Sequence, residues 1–345
     1  MTLVAIITDT HYNFKKGNKV FHEYFEKFYK NVFFPTLKKY KIDTVIHMGD
    51  MFDNRKATDY WSFDWTKRVI LDPLKKYKVH VILGNHDIFY KNTTDLNSPM
   101  LLLNDYKNIN VYAKPTNVKV GGQEILFVPW ITPEGEQNTL QAIQNTSAKV
   151  CMGHLELNGF YVHKGTIQQH GNDKSLFEKF DKVFSGHYHT RNDDGKIFYL
   201  GNPYQLYWND YGDTRGFTIF DTETYELIKV DNPYEMFKIC NYDEDNLEED
   251  LSCYEGCIVK LVIKNKTNQH KYEKFLDNLI KIQPYELKII ENVKLNSDFD
   301  ADSIVESEDT LSLLKKYVDE SEIKLNKNRI KDLIQSIYQE SFQLQ

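Results

Sequence analysis

No stretch of this chain holds about 18 consecutive apolar residues, so no part of it reads as a membrane-spanning helix. The opening residues MTLVAIITDTH carry neither a charged leader nor a small-residue cleavage site. No secretory signal is read there, and a cytoplasmic location is expected. Cysteine is scarce: Cys151, Cys240, Cys253 and Cys257 form no C-x-x-C pair. That excludes a disulfide framework and a thiolate zinc site, and leaves free thiols as the reading. Internal repeats and low-complexity tracts are absent as well. Net positive charge is also missing, since the balance is −7, which by itself speaks weakly against a nucleic-acid partner. The distribution is more informative than the sum. Residues 241–256 hold seven acids and no base, and residues 296–309 six acids and no base, whereas residues 12–41 hold eight lysines and two glutamates.

What the chain does have is enough apolar and aromatic material, 41% and 14% of 345 residues, for two domains with real cores. Short β-branched runs recur through the first 220 residues: LVAII, TVIHM, VHVIL, ILFV, KVCM, KVFS, IFYL and FTIF. Each is four or five residues long and bounded by turn chemistry, which predicts buried strands. Between them, Val20, Tyr24, Phe28 and Val32 at spacing four predict a helix over 20–34. A second helix is predicted over 58–72, capped by Thr58 and stopped by Pro73. Strands alternating with helices define an α/β layered domain over residues 1–232. NPYEMF reads as a linker. A strand (257–264), a helix (268–282) and a strand (285–293) then form a small βαβ domain within 233–295. Residues 296–345 read as an acidic linker followed by two amphipathic helices. One has Leu311, Leu314 and Val318 on its apolar stripe; the other has Ile330, Leu333, Ile334, Ile337 and Tyr338.

Five of the strands end in polar side chains: Asp9 and His11; Asp50 and Asp53 after Gly49; Asn85, His86 and Asp87 after Gly84; His154 after Gly153; His187 and His189 after Gly186. The carboxyl ends of strands in an α/β sheet line one crevice, where ligands bind. Asp9, His11, Asp50, Asn85, His154, His187 and His189 supply seven oxygen and nitrogen donors without a thiolate. That is too many for one tetrahedral ion and suits two five- or six-coordinate divalent ions bridged by Asp50. Manganese fits the mixed carboxylate–imidazole set, with magnesium, iron or zinc as alternatives. Two such ions clamp the attacking and leaving oxygens of a displacement at phosphorus. His22, His47, His80 and His270 lie within predicted elements and read as packed or surface groups, while His163 and His170 lie in the loop between the fourth and fifth motifs.

The ordered set D-x-H, G-D-x-x-D, G-N-H-D, G-H and G-H-x-H resembles the calcineurin-like metallophosphoesterases over roughly residues 1–225. GDMFDNRKAT, HLELNG and YLGNPYQLYWNDYGDTRGFTIFDTET further resemble the SbcD-type double-strand-break-repair nucleases and their bacteriophage recombination-endonuclease subunits. The resemblance implies a four-layer β-sandwich flanked by helices, a small α/β capping domain that binds DNA, and C-terminal helices. It implies that Asp9, His11, Asp50 and His189 hold one ion and Asp50, Asn85, His154 and His187 the other. His86 would act on the leaving 3′ oxygen as general acid or charge stabiliser, with Asp53 orienting and charging it; some relatives have His at the Asp53 position. Asp87 reads as a brace of its loop. The resemblance implies a DNA exonuclease and single-strand endonuclease working in host cytoplasm if phage-encoded. The implied partners are a second copy, through the aromatic segment 58–72 with Trp61, Phe63 and Trp65, and an SMC-like, SbcC-type ATPase gripped by the C-terminal helices. Tyr207 and Trp208 are candidates for stacking on an unpaired base, and Arg55 for contacting substrate. The alternative is a phosphatase or small-molecule phosphodiesterase on the same scaffold, which in this superfamily usually has Arg-Gly after the second motif; here Asn54 and Arg55 follow Asp53. A scaffold without catalysis would not need seven donors plus His86.

Overall fold

The computed structural model describes residues 2–290 together with Val318, Lys327, Arg329, Ile330, Lys331, Leu333 and Ile334. The chain divides into two compact units. The first comprises Met1–Leu206 and Gly212–Met236, the second Tyr207–Tyr211 and Phe237 onward. The boundary thus falls four residues beyond the expected 232, and a short segment, Tyr207–Tyr211, leaves the first unit for the second.

Two six-stranded mixed sheets build the first unit. One runs in the order Leu227–Asp231, Gly216–Asp221, Leu3–Ile7, Thr44–His47, Lys78–Ile82 and Ile109–Tyr112. The last four strands are parallel and the first two antiparallel. The other sheet runs Asn192–Asp193, Ile197–Tyr199, Lys182–Gly186, Val150–His154, Gln123–Val128 and Thr116–Val120, parallel through its four central strands. The period-2 alternation of side chains explains the layering. Ile125, Phe127, Val150 and Met152 face Val4, Ile6, Ile46 and Ile82 between the sheets, while Leu126, Val128, Cys151 and Val183 face outward onto Ile143 of the helix Glu136–Asn145. On the far side, Phe33 of the helical segment 19–39 meets Phe217 with ring centroids 4.9 Å apart. Strands buried on both faces read as continuous apolar runs rather than alternating ones, which is why the eight runs were visible in the sequence.

The predicted helices are present, with instructive differences. Residues 19–39 form one helical path in which Lys19–Phe28 passes into a π turn, Tyr29–Phe33, and then Phe34–Lys39. Residues 60–74 repeat the arrangement, with a π turn at Lys67–Leu71. Each π turn ends one residue short of a proline, with Phe34 before Pro35 and Asp72 before Pro73. A proline has no N–H, and its ring collides with the carbonyl four residues back; a wider turn at that point lets the helix continue. Pro73 therefore does not stop its helix. The cap is Asp59 and not Thr58: Asp59 is extended, and its carboxylate accepts the Ser62 N–H at 2.8 Å. Trp65 is buried within its own chain, its indole N–H donating to Glu26, so it offers no surface to a second copy. Trp61 and Tyr60 are exposed.

The second unit has three parallel strands, Phe237–Asp243, Ile258–Asn265 and Glu286–Ile290. The helix Gln269–Lys281 packs Tyr272, Phe275 and Leu279 on Tyr242, Val259 and Leu261. The βαβ reading stands, but what was read as linker and acidic run contains a strand, because its apolar residues Phe237, Cys240 and Tyr242 do not alternate. All four cysteines are free thiols. Most of residues 296–345 lies outside the described residues, and the docking role expected of that segment with it. Among the described residues no helix is long and apolar enough to cross a membrane.

His80 is a polar ring in the inter-sheet layer. Its Nδ1 lies 2.7 Å from the Tyr112 hydroxyl, and its ring meets Tyr112 and Phe127. Burial, with Lys78 nearby, lowers its pKa to about 4. Above pH 6.5 the ring is neutral in folded and unfolded chains alike. As pH falls from 6.5 toward 4, the unfolded chain takes up a proton that the folded one refuses, so stability declines. Urea unfolding of His80→Phe, which keeps a ring there, is expected to show a shallower loss over that window, by on the order of 1 kcal/mol per pH unit. Parallel slopes for the two proteins would place the titration elsewhere.

Candidate metal centre

The five polar strand ends come together at the carboxyl edges of the two sheets. Asp9, His11 and His189 present ligand atoms within 4.8 Å of one another, and so do Asp50, His154 and His187. Asn85 Oδ1 lies 3.1 Å from His154 Nε2 and 3.0 Å from His187 Nδ1. His154 Nε2 is 3.4 Å from Asp50 Oδ2 and 4.0 Å from Asp9 Oδ1, so the two groups adjoin. His11 Nε2 and His189 Nε2 approach to 3.2 Å. All seven expected donors are thus in one cluster, on two adjoining subsets that share the Asp50 side.

Close backbone approach makes this convergence possible. A Cβ on Gly84 would fall 2.3 Å from the Asp50 nitrogen, and one on Gly49 2.4 Å from His154 Nδ1. The donors themselves bear strain. Asp9 (φ 53), His11 (φ 45), Asp50 (φ 52) and His187 (φ 86) all sit in left-handed backbone that side-chain-bearing residues seldom adopt. Such conformations persist only where surroundings over-determine them. Thr10, between two of the strained donors, is held at both ends. Its carbonyl accepts from the Tyr204 hydroxyl, and its own hydroxyl donates to the Met51 carbonyl and accepts from His47 Nε2. His47 Nδ1 accepts the Gly49 N–H, so this ring is the neutral tautomer. Burial, aided by the charge of His154, depresses its pKa to about 3.

Hydrogen bonds behind the cluster set which atom each ligand offers. His154 Nδ1 faces the Met48 carbonyl at 2.8 Å and must donate to it, leaving Nε2 for the cluster. Asp9 accepts from the Thr8 hydroxyl and the His187 N–H. Asp87 is the brace expected: its carboxylate accepts from the backbone N–H groups of Met51, Phe52 and Gly84. Burial and the charge of Asp50 raise its pKa to about 7. Burial opposes ionisation of Asp50, but the imidazoles of His154, His86 and His11 outweigh it and hold its pKa well below the usual range. Burial likewise opposes charge on His154, which Asp50 and Asp9 override to about 9.

Asp53 behaves differently from expectation. His86 Nδ1 lies 2.6 Å from the Asp53 backbone carbonyl, not its carboxylate. The carboxylate instead stands 3.2 Å from His11 Nδ1. There, with Asp50 and Asp9, it overcomes burial to raise the His11 pKa to about 9. Asp53 therefore orients His86 through its main chain and supports His11 through its side chain. Arg55 is half-buried; its Nη1 is shielded and has no hydrogen-bond partner among the described residues. Tyr207 and Trp208 belong to the second unit, where Lys260 Nζ lies 4.2 Å from the Trp208 ring centroid and Phe237 packs at 5.0 Å. Residues not singled out beforehand also border the cluster: the Met48 carbonyl, Glu156 at 4.0 Å from His187 Nε2, and Trp130 against His187 and His154. Glu156 lay within HLELNG; Trp130 followed a strand with no polar terminus to mark it.

The donor set fits divalent ions: hard oxygens and imidazole nitrogens only, with His154 turned by the Met48 carbonyl and His11 backed by the Asp53 carboxylate. If the Asp53 carboxylate supports His11, Asp53→Asn is expected to weaken calorimetric binding of manganese about 10- to 100-fold while turnover at saturating metal is largely retained. Unchanged affinity with lost turnover would return the carboxylate to His86.

The sequence pattern of the calcineurin-like phosphoesterases matches residues 2–191. The chain is 32% identical over 284 residues to exonuclease subunit 1 of Enterobacteria phage T4, covering 81% of this chain and 82% of that protein. Among solved structures, an archaeal phosphodiesterase aligns at 12% identity and TM-score 0.34, over 67% of this chain and 100% of that one. A purple acid phosphatase from yellow lupin seeds aligns at 16% identity and TM-score 0.34, over 55% and 38%. With its five motifs in order and their donors in one cluster, the chain belongs to the calcineurin-like phosphoesterases.

Proposed function

We propose that this protein is a DNA nuclease subunit of a recombination and break-repair complex, hydrolysing phosphodiester bonds with two divalent ions, manganese foremost. The observation that carries the reading is the cluster itself: seven donors converge in two adjoining groups, and His86 stands outside both, in a third group with Asp53 that shares His11. The exonuclease subunit named among its relatives supports DNA as substrate. Asp9, His11, Asp50 and His189 would hold one ion, and Asp50, Asn85, His154 and His187 the other. Ions so held neutralise charge on the phosphodiester and activate the attacking and leaving oxygens.

The chain's own residues do the rest. Asp50 spans both sites, its Oδ1 accepting the His86 backbone N–H at 2.7 Å, so ligand and acid are placed by one contact. His86 Nδ1 donates to the Asp53 carbonyl, so Nε2 carries a proton for the departing 3′ oxygen, or stabilises its charge, only in the imidazolium form, which burial disfavours and the negative phosphate of a bound substrate would favour. Arg55 would approach a substrate phosphate, and Tyr207 and Trp208 would contact substrate from the second unit. The domain expected over residues 233–295, which lies mostly within that unit, would cap the nuclease and bind DNA. Pairing with a second copy through the segment 58–72, where Tyr60 and Trp61 are exposed, and docking of residues 296–345 on an SMC-like ATPase complete the proposal; the amphipathic pattern of the C-terminal segment supports the docking, and the relative's being a subunit supports an assembly.

Two variants test the chemistry. Asp50→Asn is expected to abolish manganese-dependent cleavage of a labelled oligonucleotide and to lower bound metal measured by elemental analysis. His86→Ala is expected to keep its metal content and to lose about 10²- to 10⁴-fold in rate. A His86→Ala protein that loses metal, or an Asp50→Asn protein with normal turnover, would break the assignment.

A further inference from the structure

The cluster is closed on most sides. The side chains of Asp9 and His154 are fully buried and that of Asp50 nearly so, whereas those of His187 and His189 keep 19% and 23% of their exposure. The cluster is thus open to solvent at His187 and His189, as it also is at Asp53, whose side chain keeps 23%. Two neighbours of His187 differ in chemistry. One is Glu156, 4.0 Å from Nε2 and also accepting from Gln168, a carboxylate that repels a phosphate. The other is Trp130, its ring centroid 4.9 Å from that of His187 and 6.0 Å from that of His154. Trp130 is half-buried, so part of the indole faces the opening. Its position is fixed by the main chain: its N–H donates to the Leu83 carbonyl at 2.8 Å, one residue before the Gly84–Asn85 turn. A large aromatic, rigidly held at the entrance and next to an exposed ligand, is placed as a stacking platform, and base–aromatic stacking tolerates any base.

Building on the nuclease reading above, we propose that Trp130 is a substrate-contact residue that stacks on a nucleobase next to the scissile phosphate and thereby selects a strand with an unpaired, accessible base. Glu156, the other neighbour of His187, keeps the phosphate away from itself, so the sugar–phosphate chain passes over the metal cluster while the base turns toward the indole. In a duplex the same base is already stacked and unavailable, and the platform therefore favours single strands and frayed ends.

The experiment compares wild type, Trp130→Leu and Trp130→Phe, all loaded with manganese, on a thymidine oligonucleotide and on an abasic strand of the same length. For Trp130→Leu, KM on the oligonucleotide is expected to rise roughly 5- to 150-fold, the range of one base–aromatic stack. KM on the abasic strand should stay at the wild-type value, and Trp130→Phe should recover most of the loss. Manganese affinity by calorimetry should be unchanged in both variants. A Trp130→Leu protein equally impaired on both strands, or with weakened manganese binding, would make Trp130 a wall of the metal centre and overturn the proposal, as would a variant unimpaired on both. A wild type that cleaves neither strand but hydrolyses nitrophenyl esters would overturn the nuclease reading itself and the stacking role with it.

Discussion

Two carboxylates buried side by side govern this molecule. Asp9 and Asp50 are withdrawn from water at the ends of neighbouring parallel strands. Burial and the mutual repulsion of the two charges raise the Asp9 carboxyl above its ordinary range. Charges placed so are costly unless paired. Four imidazoles surround them, each turned so that a ring nitrogen faces inward. The same low-polarity setting that makes the carboxylates expensive makes a divalent cation between them favourable, so site and fold share one electrostatic problem.

Bringing these groups together strains the backbone. Four donors take left-handed conformations, and Gly49 and Gly84 touch where any side chain would collide. The compensation is spread over residues distant in sequence. Tyr204 reaches the Thr10 carbonyl across 194 residues and is itself stacked on Phe25 at 3.9 Å. Asp87 ties three backbone N–H groups from two motif loops. The aromatic layer that the helical path 19–39 lays over the first sheet thus serves the site as well as the core, because the phenol that holds Thr10 belongs to it.

Around this fixed centre, tasks are divided by exposure. The fully buried donors hold charge, and the partly exposed His187 and His189 border the entrance. His86 is held by the Asp53 carbonyl and by Asp50. Arg55 and Trp130, both half-buried, are a cation and an aromatic ring beside these groups.

The sequence by itself determined the α/β class, the eight buried strands and the convergence of Asp9, His11, Asp50, Asn85, His154, His187 and His189. Strands buried on both faces need unbroken apolar runs, and a polar triplet ending such a run has no place in a core. It also marked Asp87 as a brace. Only tertiary structure decided the rest. Pro73 ends a helix in sequence logic, yet a π turn lets the chain pass it. Trp65 looked available to a second copy, yet Glu26, 39 positions away, takes its indole. Asp53 was expected to orient and charge His86; the atom that meets the His86 ring is its carbonyl, while its carboxylate stands on His11. Trp130 carried no motif and lies at the entrance because its strand runs beside the one that delivers His154. In every case but Pro73 the deciding contact joins residues far apart in the chain. Local spacing reports which residue types are present and which face they share, but not which of several distant partners a side chain meets once the sheets have closed.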